Sequence, residues 1–256
     1  MIYQKSSETM AEIPESSIHL VVTSPPYPMI EKWDKLFFDW IKRSHSKEVT
    51  DKLIPGFLDL DPLMMFWAQH VCLRLVWNEV KRVLVPGGIA CINIGDATGS
   101  YDGHFYCFPN FARVTDELVY LHFTPLIPII WKKISNRPNA FLGSGMIPPN
   151  GYIAQDCEYI GIYRKGNIRK FKPHDVQRYA SEFTKEERDK WFQQLWTIPG
   201  KMGAKATSAF PEEVPRRLIQ MFSCIDETVL DPFSGTGTTS KVCEELERKF
   251  IGYEVR

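Results

Sequence analysis

An α/β fold built on a doubly wound, mostly parallel sheet is what this 256-residue sequence predicts, and three observations predict it. Short apolar runs alternate with stretches of helical periodicity, the pattern of a parallel sheet covered on both faces. Two of those runs stop abruptly in text suited to a ligand, Thr23-Ser24-Pro25-Pro26-Tyr27 and Asp231-Pro232-Phe233-Ser234-Gly235. The ends of strands are where open α/β sheets place their sites. Between these two stretches the alternation breaks once, from about residue 134 to 207, which reads as an inserted segment. The expected division is therefore 1–133, 134–207 and 208–256.

Composition agrees with a folded chain of this size. Hydrophobic residues make up 44% and aromatics 13%, so a full core can be buried. The formal charge is zero, so a nucleic-acid partner would need a local basic patch. The six cysteines form no C-x-x-C pair and read as reduced thiols of a cytoplasmic protein. His104 and Cys107 are three apart with no second pair beside them, so no metal site is expected. The first residues lack a signal-peptide core and no run reaches membrane-spanning length, so no membrane partner is expected.

Taken in order, Ile2 to Ile13 read as a short strand and a helical turn, and Ile18–Val22 as a strand. The stretch from Ser24 to Leu60 reads as a long irregular segment whose Trp33, Phe37, Phe38, Trp40 and Phe57 fold it over the Ser24 site. Asp61-Pro62 opens the clearest helix, with an N-cap acid and proline at the first position. Leu63, Phe66, Trp67, Val71, Leu75, Val76, Val80 and Val83 follow at helical spacing, and Pro86-Gly87-Gly88 reads as its stop. Then come a strand Ile89–Ile94, a helix from near Phe111 to His122 and a strand Leu126–Trp131.

Within 134–207 one strand reads clearly, around Tyr159–Tyr163, and Thr184 with Glu187 spells a capping box for a helix through Trp191 and Leu195. This segment carries twelve basic residues against seven acidic, and the excess is densest at Arg164, Lys165, Arg169, Lys170 and Lys172. Such a run beside a site for a base reads as a phosphate contact. A helix through Val214, Leu218 and Phe222, a strand Thr228–Asp231, a glycine turn with a helix start and a strand Phe250–Glu254 complete the chain.

The residues at the two strand ends point to chemistry. Proline fixes φ and lacks an N–H, so Pro25 and Pro26 leave the carbonyls of Ser24 and Pro25 free to accept hydrogen bonds. Beside the ring of Tyr27, that pair suits a planar group carrying an amine, such as a nucleobase. At the other end, Gly235 and Gly237 allow the tight turn a bound cofactor needs. Glu254 lies 17 positions after Gly237 at the end of the next strand, matching the acid that holds ribose hydroxyls. A nicotinamide fold would carry a third glycine where Ser240 stands, and no Walker loop is spelled here.

Together the two stretches resemble a known family. Thr23-Ser24-Pro25-Pro26-Tyr27 resembles the catalytic motif of amino-methylating DNA methyltransferases, and Asp231-Pro232-Phe233-Ser234-Gly235-Thr236-Gly237-Thr238 their S-adenosylmethionine motif. Catalytic motif first and cofactor motif last is the order of the circularly permuted beta class, and Val85-Pro86-Gly87-Gly88 and Ile92-Asn93-Ile94-Gly95-Asp96 are also similar to family text. The resemblance implies the Rossmann-like fold of S-adenosylmethionine-dependent methyltransferases, with target recognition in the segment between the motifs. It implies that Asp231 to Thr238 line the methionine and adenine, that Glu254 takes the ribose, and that Ser208-Ala209-Phe210-Pro211 holds the methionine end. Ser24 at the head of its tetrapeptide is the form most often found in cytosine-N4 enzymes, while aspartate prevails in adenine-N6 enzymes. The expected substrate is double-stranded DNA with the target base flipped out, and the expected partner is a restriction endonuclease of the same site, for a monomer or homodimer. An adenine-N6 enzyme, an RNA methyltransferase and an inactive DNA-binding subunit remain open on the sequence. Family members continue past the ribose acid into another helix, whereas this sequence stops at Arg256.

Overall fold

The computed structural model describes residues 1–44, 51, 61–134, 142–143, 148–149, 151–200 and 210–255. The chain enters through β1 (Ile2–Tyr3) and β2 (Ile18–Thr23) and then, after a 3-10 turn at Glu31–Trp33, forms α1 (Asp34–Ser44). The expectation of an irregular segment after Ser24 is corrected here, while Phe57 lies outside the described residues. Phe37, Trp40 and Ile41 fall at helical spacing and all are buried, so the chain gains a covered helical face.

Helix α2 (Pro62–Val83) starts as its sequence predicts, with the Asp61 carboxylate accepting the N–H groups of Leu63 and Met64 at 2.9 and 3.1 Å. It passes into β3 (Leu84–Ile94) without a break, so Pro86-Gly87-Gly88 lies inside the strand rather than before it. The pairing with β2 jumps from Ile18–Leu84 to Leu20–Ile89. The bulge between absorbs the extra residues, and Gly87 supplies the positive φ of 79° that it needs. A hairpin of β4 (Ala97–Tyr101) and β5 (His104–Phe108) projects from the end of β3 and leads to α3 (Asn110–Tyr120). The strand expected at Leu126–Trp131 is split into β6 (Phe123–Pro125) and β7 (Ile129–Ile134), because Pro125 and Pro128 cannot donate to a ladder.

The remaining elements are β8 (Leu142–Gly143), β9 (Gly151–Tyr152), β10 (Cys157–Lys165), α4 (Val176–Ala180), α5 (Lys185–Trp191) and β11 (Leu195–Pro199). They are followed by α6 (Glu213–Phe222), β12 (Thr228–Asp231), α7 (Thr238–Glu245) and β13 (Lys249–Tyr253). The Thr184–Glu187 capping box is present at the start of α5, but the helix ends at Trp191, and Leu195, expected in it, opens β11 instead by pairing with β7.

The strands order as β1-β13-β12-β2-β3-β10-β7-β11, with β6 also on β10. All neighbours from β1 to β3 are parallel, while β10 runs antiparallel to β3, β6 and β7. Two strands of the 134–207 segment, β10 and β11, therefore lie in the central sheet, and what leaves the sheet there is a pair of excursions, before β10 and after it. One face is covered by α1, α2 and α3 through Phe37, Trp77, Val80 and Leu118, the other by α6 and α7 through Val214, Leu218 and Val242. Among the described residues no helix is long and apolar enough to cross a membrane.

Glu117 of α3 is the most enclosed charge on the first face, 2% exposed, and it accepts both Arg74 Nε and Nη2 at 2.6 Å as well as Arg113. Removing it takes the carboxylate from Arg74 and leaves the largely buried Arg113 with only the exposed Asp116. Glu117→Ala should therefore lower stability by about 3 kcal/mol, read as a shift of the urea midpoint.

Candidate active site

Strands β12, β2 and β3 run parallel and end together, and the antiparallel β10 begins at the same edge. Register fixes this, since Thr23 pairs with Ile92 and Ile94 with Tyr159. Both sequence-predicted stretches therefore sit on one side, and a single cavity of about 880 Å³ joins them. Ser24, Pro25 and Pro26 line it together with Asp231, Pro232, Phe233, Ser234, Gly235, Thr236, Thr238 and Glu254.

The loop after β12 is shaped by its glycines. Gly235 and Gly237 have φ of 51° and 82°, in the left-handed region that side chains avoid, and Gly237 caps α7. Gly252 of β13 serves the same loop by close approach, for a Cβ there would collide with Ser234 Oγ. The Glu254 carboxylate accepts the Gly235 N–H at 2.5 Å, so the expected ribose acid also holds the turn. Phe210 lines the cavity and Pro211 starts the turn into α6, its carbonyl accepting the Val214 N–H, while Ser208 lies outside the described residues.

Asp231 lines the cavity and its side chain is also bound into the fold. Its carboxylate is 2% exposed and both oxygens are engaged, Oδ1 by Thr23 Oγ1 at 2.6 Å and the Phe233 N–H at 3.1 Å, Oδ2 by Thr239 Oγ1 at 2.7 Å. Burial pushes its carboxyl up to about 6, against the opposing pull of those hydrogen bonds. Asp231 thus ties the catalytic strand to the cofactor loop.

At the catalytic motif, Tyr27 Oη donates to Glu158 Oε2 at 2.9 Å and receives the Asn93 amide at 2.7 Å, with Ser24 Oγ 3.2 Å away. Glu158 is in turn paired with Lys133. Burial, then the charge of Glu158, raise the Tyr27 phenol well above its ordinary value, so it stays protonated. Asn93 and Glu158 were not among the residues expected here. The signal for Asn93 was a polar residue inside the apolar run Ile89–Ile94, and for Glu158 an acid at the head of a strand. Trp33, Leu36 and Trp40 also line the cavity, and Trp40 meets Phe233 with ring centroids 6.5 Å apart. They place α1 as a wall of the cofactor side.

The basic run is not at this edge. Arg164 pairs with Ile89 in the middle of β3, six residues along β10 from Glu158 and so roughly 20 Å away at about 3.3 Å per residue. Lys165 Nζ donates to the Leu84 carbonyl at 2.6 Å, at the end of α2, and Arg169 is paired with Glu227. These two are committed to the fold, while Lys170 and Lys172 are exposed at the far end of the sheet. The expected phosphate contact of Arg164 to Lys172 therefore falls on a surface away from the catalytic residues. Charge density in a sequence does not say at which end of a strand the charges emerge.

The cavity suits an adenosyl cofactor on this structure's own terms. It has the volume of a cofactor site, aromatic walls at Trp33, Trp40 and Phe233, a carboxylate at Glu254 and a glycine turn that brings backbone to its edge. A sheet of this order with such a turn and a Ser-Pro-Pro-Tyr motif on the same edge defines an S-adenosylmethionine-dependent methyltransferase.

The family described as DNA methylase, of the N6/N4 amino-methylating type, matches residues 18–256, and the chain belongs to it. It is 53% identical over 261 residues to the Type II methyltransferase M.MjaI of Methanocaldococcus jannaschii, covering 96% of this chain and 84% of that protein. It is 42% identical to the Type II methyltransferase M.MthZI of Methanothermobacter thermautotrophicus, over 99% of this chain and 72% of that protein. The structure of a DNA modification methylase, TTHA0409 from Thermus thermophilus, in complex with S-adenosylmethionine superposes with a TM-score of 0.76 at 31% identity, covering 100% of this chain and 87% of that one. S-adenosylmethionine is the methyl donor of this chain.

The raised Asp231 carboxyl gives a signed pH dependence. Its folded value of about 6 exceeds the unfolded ~3.9, so folding disfavours ionisation. That cost is absent below about pH 4, grows to about pH 6 and is complete above. The stability of the wild type relative to Asp231→Asn should therefore fall between about pH 4 and about pH 6, measured by urea unfolding of both proteins across that range.

Proposed function

We propose that the chain is a site-specific DNA methyltransferase of a restriction-modification system that methylates the exocyclic N4 of a cytosine flipped out of duplex DNA. The single observation that carries this is the shared cavity, which puts Ser24, Pro25 and Pro26 against the glycine loop. The relatives named Type II methyltransferases support the biological setting, which implies a restriction endonuclease acting on the same site. The serine at position 24 supports cytosine as the target.

The exocyclic nitrogen of cytosine is a weak nucleophile because its lone pair is delocalised into the ring. Ser24 Oγ and the Pro25 carbonyl accept its two N–H bonds and draw the nitrogen toward tetrahedral geometry. Tyr27 offers a ring for the extrahelical base, and such stacking returns roughly 1–3 kcal/mol against the few kcal/mol that unpairing costs. Bound S-adenosylmethionine supplies a methyl group on a sulfonium, an electrophile that needs no enzyme nucleophile. Phe233, Trp33, Trp40 and Glu254 hold that group, and the protein's main contribution is positioning. The target-recognition role of 134–207 falls, in this reading, to the excursion between β7 and β10, which leaves the sheet at the catalytic edge. Tyr152 of that excursion stacks on Phe105 of the β4–β5 hairpin with centroids 4.2 Å apart, so the two are packed together.

Ser24→Ala and Tyr27→Ala should each lower tritiated-methyl transfer to duplex DNA by roughly 100-fold or more while S-adenosylmethionine binding by calorimetry persists. Nucleoside mass spectrometry of the methylated DNA should return N4-methylcytosine. N6-methyladenine would assign the adenine reaction to the same site, and transfer to RNA alone would replace the substrate.

A further inference from the structure

We propose that Glu158 is a positioning residue that sets the direction of the hydrogen-bond chain at the catalytic motif, so that Ser24 presents lone pairs, not its proton, to the amine being methylated. The inference rests on the reaction proposed above and holds for either target base.

The direction follows from counting protons. Paired with Lys133, Glu158 is a carboxylate and can only accept. It therefore fixes the Asn93 side chain with its amide nitrogen inward, donating to Glu158 Oε2 at 2.8 Å and to Tyr27 Oη at 2.7 Å. It also takes the one phenolic proton of Tyr27, at 2.9 Å. With its own proton given to Glu158 and one lone pair filled by Asn93, Tyr27 Oη has a single role left, which is to accept. Ser24 Oγ, 3.2 Å away, supplies that hydrogen bond. The serine's proton is then turned inward, and its lone pairs face the cavity that Ser24 lines.

The alternative direction would be unproductive. A donor in place of the carboxylate lets Tyr27 point its proton at Ser24, whose hydroxyl then turns toward the substrate amine and competes with its N–H groups. Glu158 is well placed to prevent this, because its side chain is only 13% exposed and water has little access to the chain it terminates. Lys133 holds the carboxylate from its other oxygen, Oε1. Neither a motif nor a charge count marks Glu158, since it is separated from Tyr27 by 131 positions.

Glu158→Gln keeps the size and turns one of the two acceptor oxygens into a donor among three donating neighbours, and Tyr27→Phe keeps the ring and breaks the chain one link earlier. Each variant and the double variant would be assayed for tritiated-methyl transfer to duplex DNA, with S-adenosylmethionine binding by calorimetry as the check on folding. We expect kcat to fall about tenfold or more in each single variant, KM for DNA and cofactor affinity to change less than twofold, and the double variant to be no worse than the poorer single one. Wild-type kcat in Glu158→Gln, or losses that multiply in the double variant, would overturn the proposal. Should Glu158→Gln fail to bind cofactor, Tyr27→Phe decides alone, because it leaves the Glu158–Lys133 pair in place, and full activity there overturns the proposal too. A wild-type protein that methylates no nucleic acid would instead refute the proposed function, so the two failures read differently.

Discussion

The carboxylate of Asp231, held by Thr23 on one oxygen and Thr239 on the other, is the contact on which the rest of the site depends. Thr23 is the last residue of the catalytic strand and Asp231 the last of the cofactor strand, 208 positions later. A buried carboxylate is costly unless its hydrogen bonds are made, and burial raises this one's carboxyl to about 6. What offsets that cost is that its partners close around it from the end of β2, from the Phe233 N–H that starts the glycine turn, and from Thr239 in the first turn of α7. A single side chain therefore registers the two halves of the site against each other, although the motifs lie at opposite ends of the sequence.

The antiparallel strand β10 contributes what the parallel strands cannot. Parallel strands bring their carboxyl ends to one edge, but β10 arrives there with its first residues, and Glu158 is among them. An acid is thereby placed next to Tyr27 and Asn93 from the opposite chain direction. The same reversal carries Arg164 and Lys165 to the far edge, where Lys165 closes the end of α2. The strand thus serves the catalytic residues with one end and the fold with the other.

Much of this was legible in the sequence where local chemistry and long-range packing agree. The start of α2 was readable because Asp61-Pro62 is both a cap and a stop to what precedes it, and the capping box at Thr184 stood for the same reason. Ser24 to Tyr27 and Gly235 to Thr238 were readable because few roles need prolines or glycines at strand ends. The misreadings have particular causes. The Pro86–Gly88 stretch reads as a terminator, yet a bulge uses the same residues inside a strand. Helix α1 was hidden because its aromatics, taken as loop residues, are in fact helically spaced and buried. Glu158 reads locally only as an acid at the head of a strand, because its role is set by the pairing between β10 and β3.

The central claim is that the two motifs work as one site because Asp231 registers them, and Thr23→Val tests it most directly. The substitution removes one buried hydroxyl, keeps the volume of the side chain, and touches neither the Ser-Pro-Pro-Tyr residues nor the glycine turn. The measurement is the single-turnover rate of methyl transfer to duplex DNA at saturating S-adenosylmethionine, alongside the affinities for cofactor and DNA. The account predicts a rate about tenfold lower or more with both affinities retained, since misregistration costs orientation rather than binding. An unchanged rate with the hydroxyl gone would contradict it.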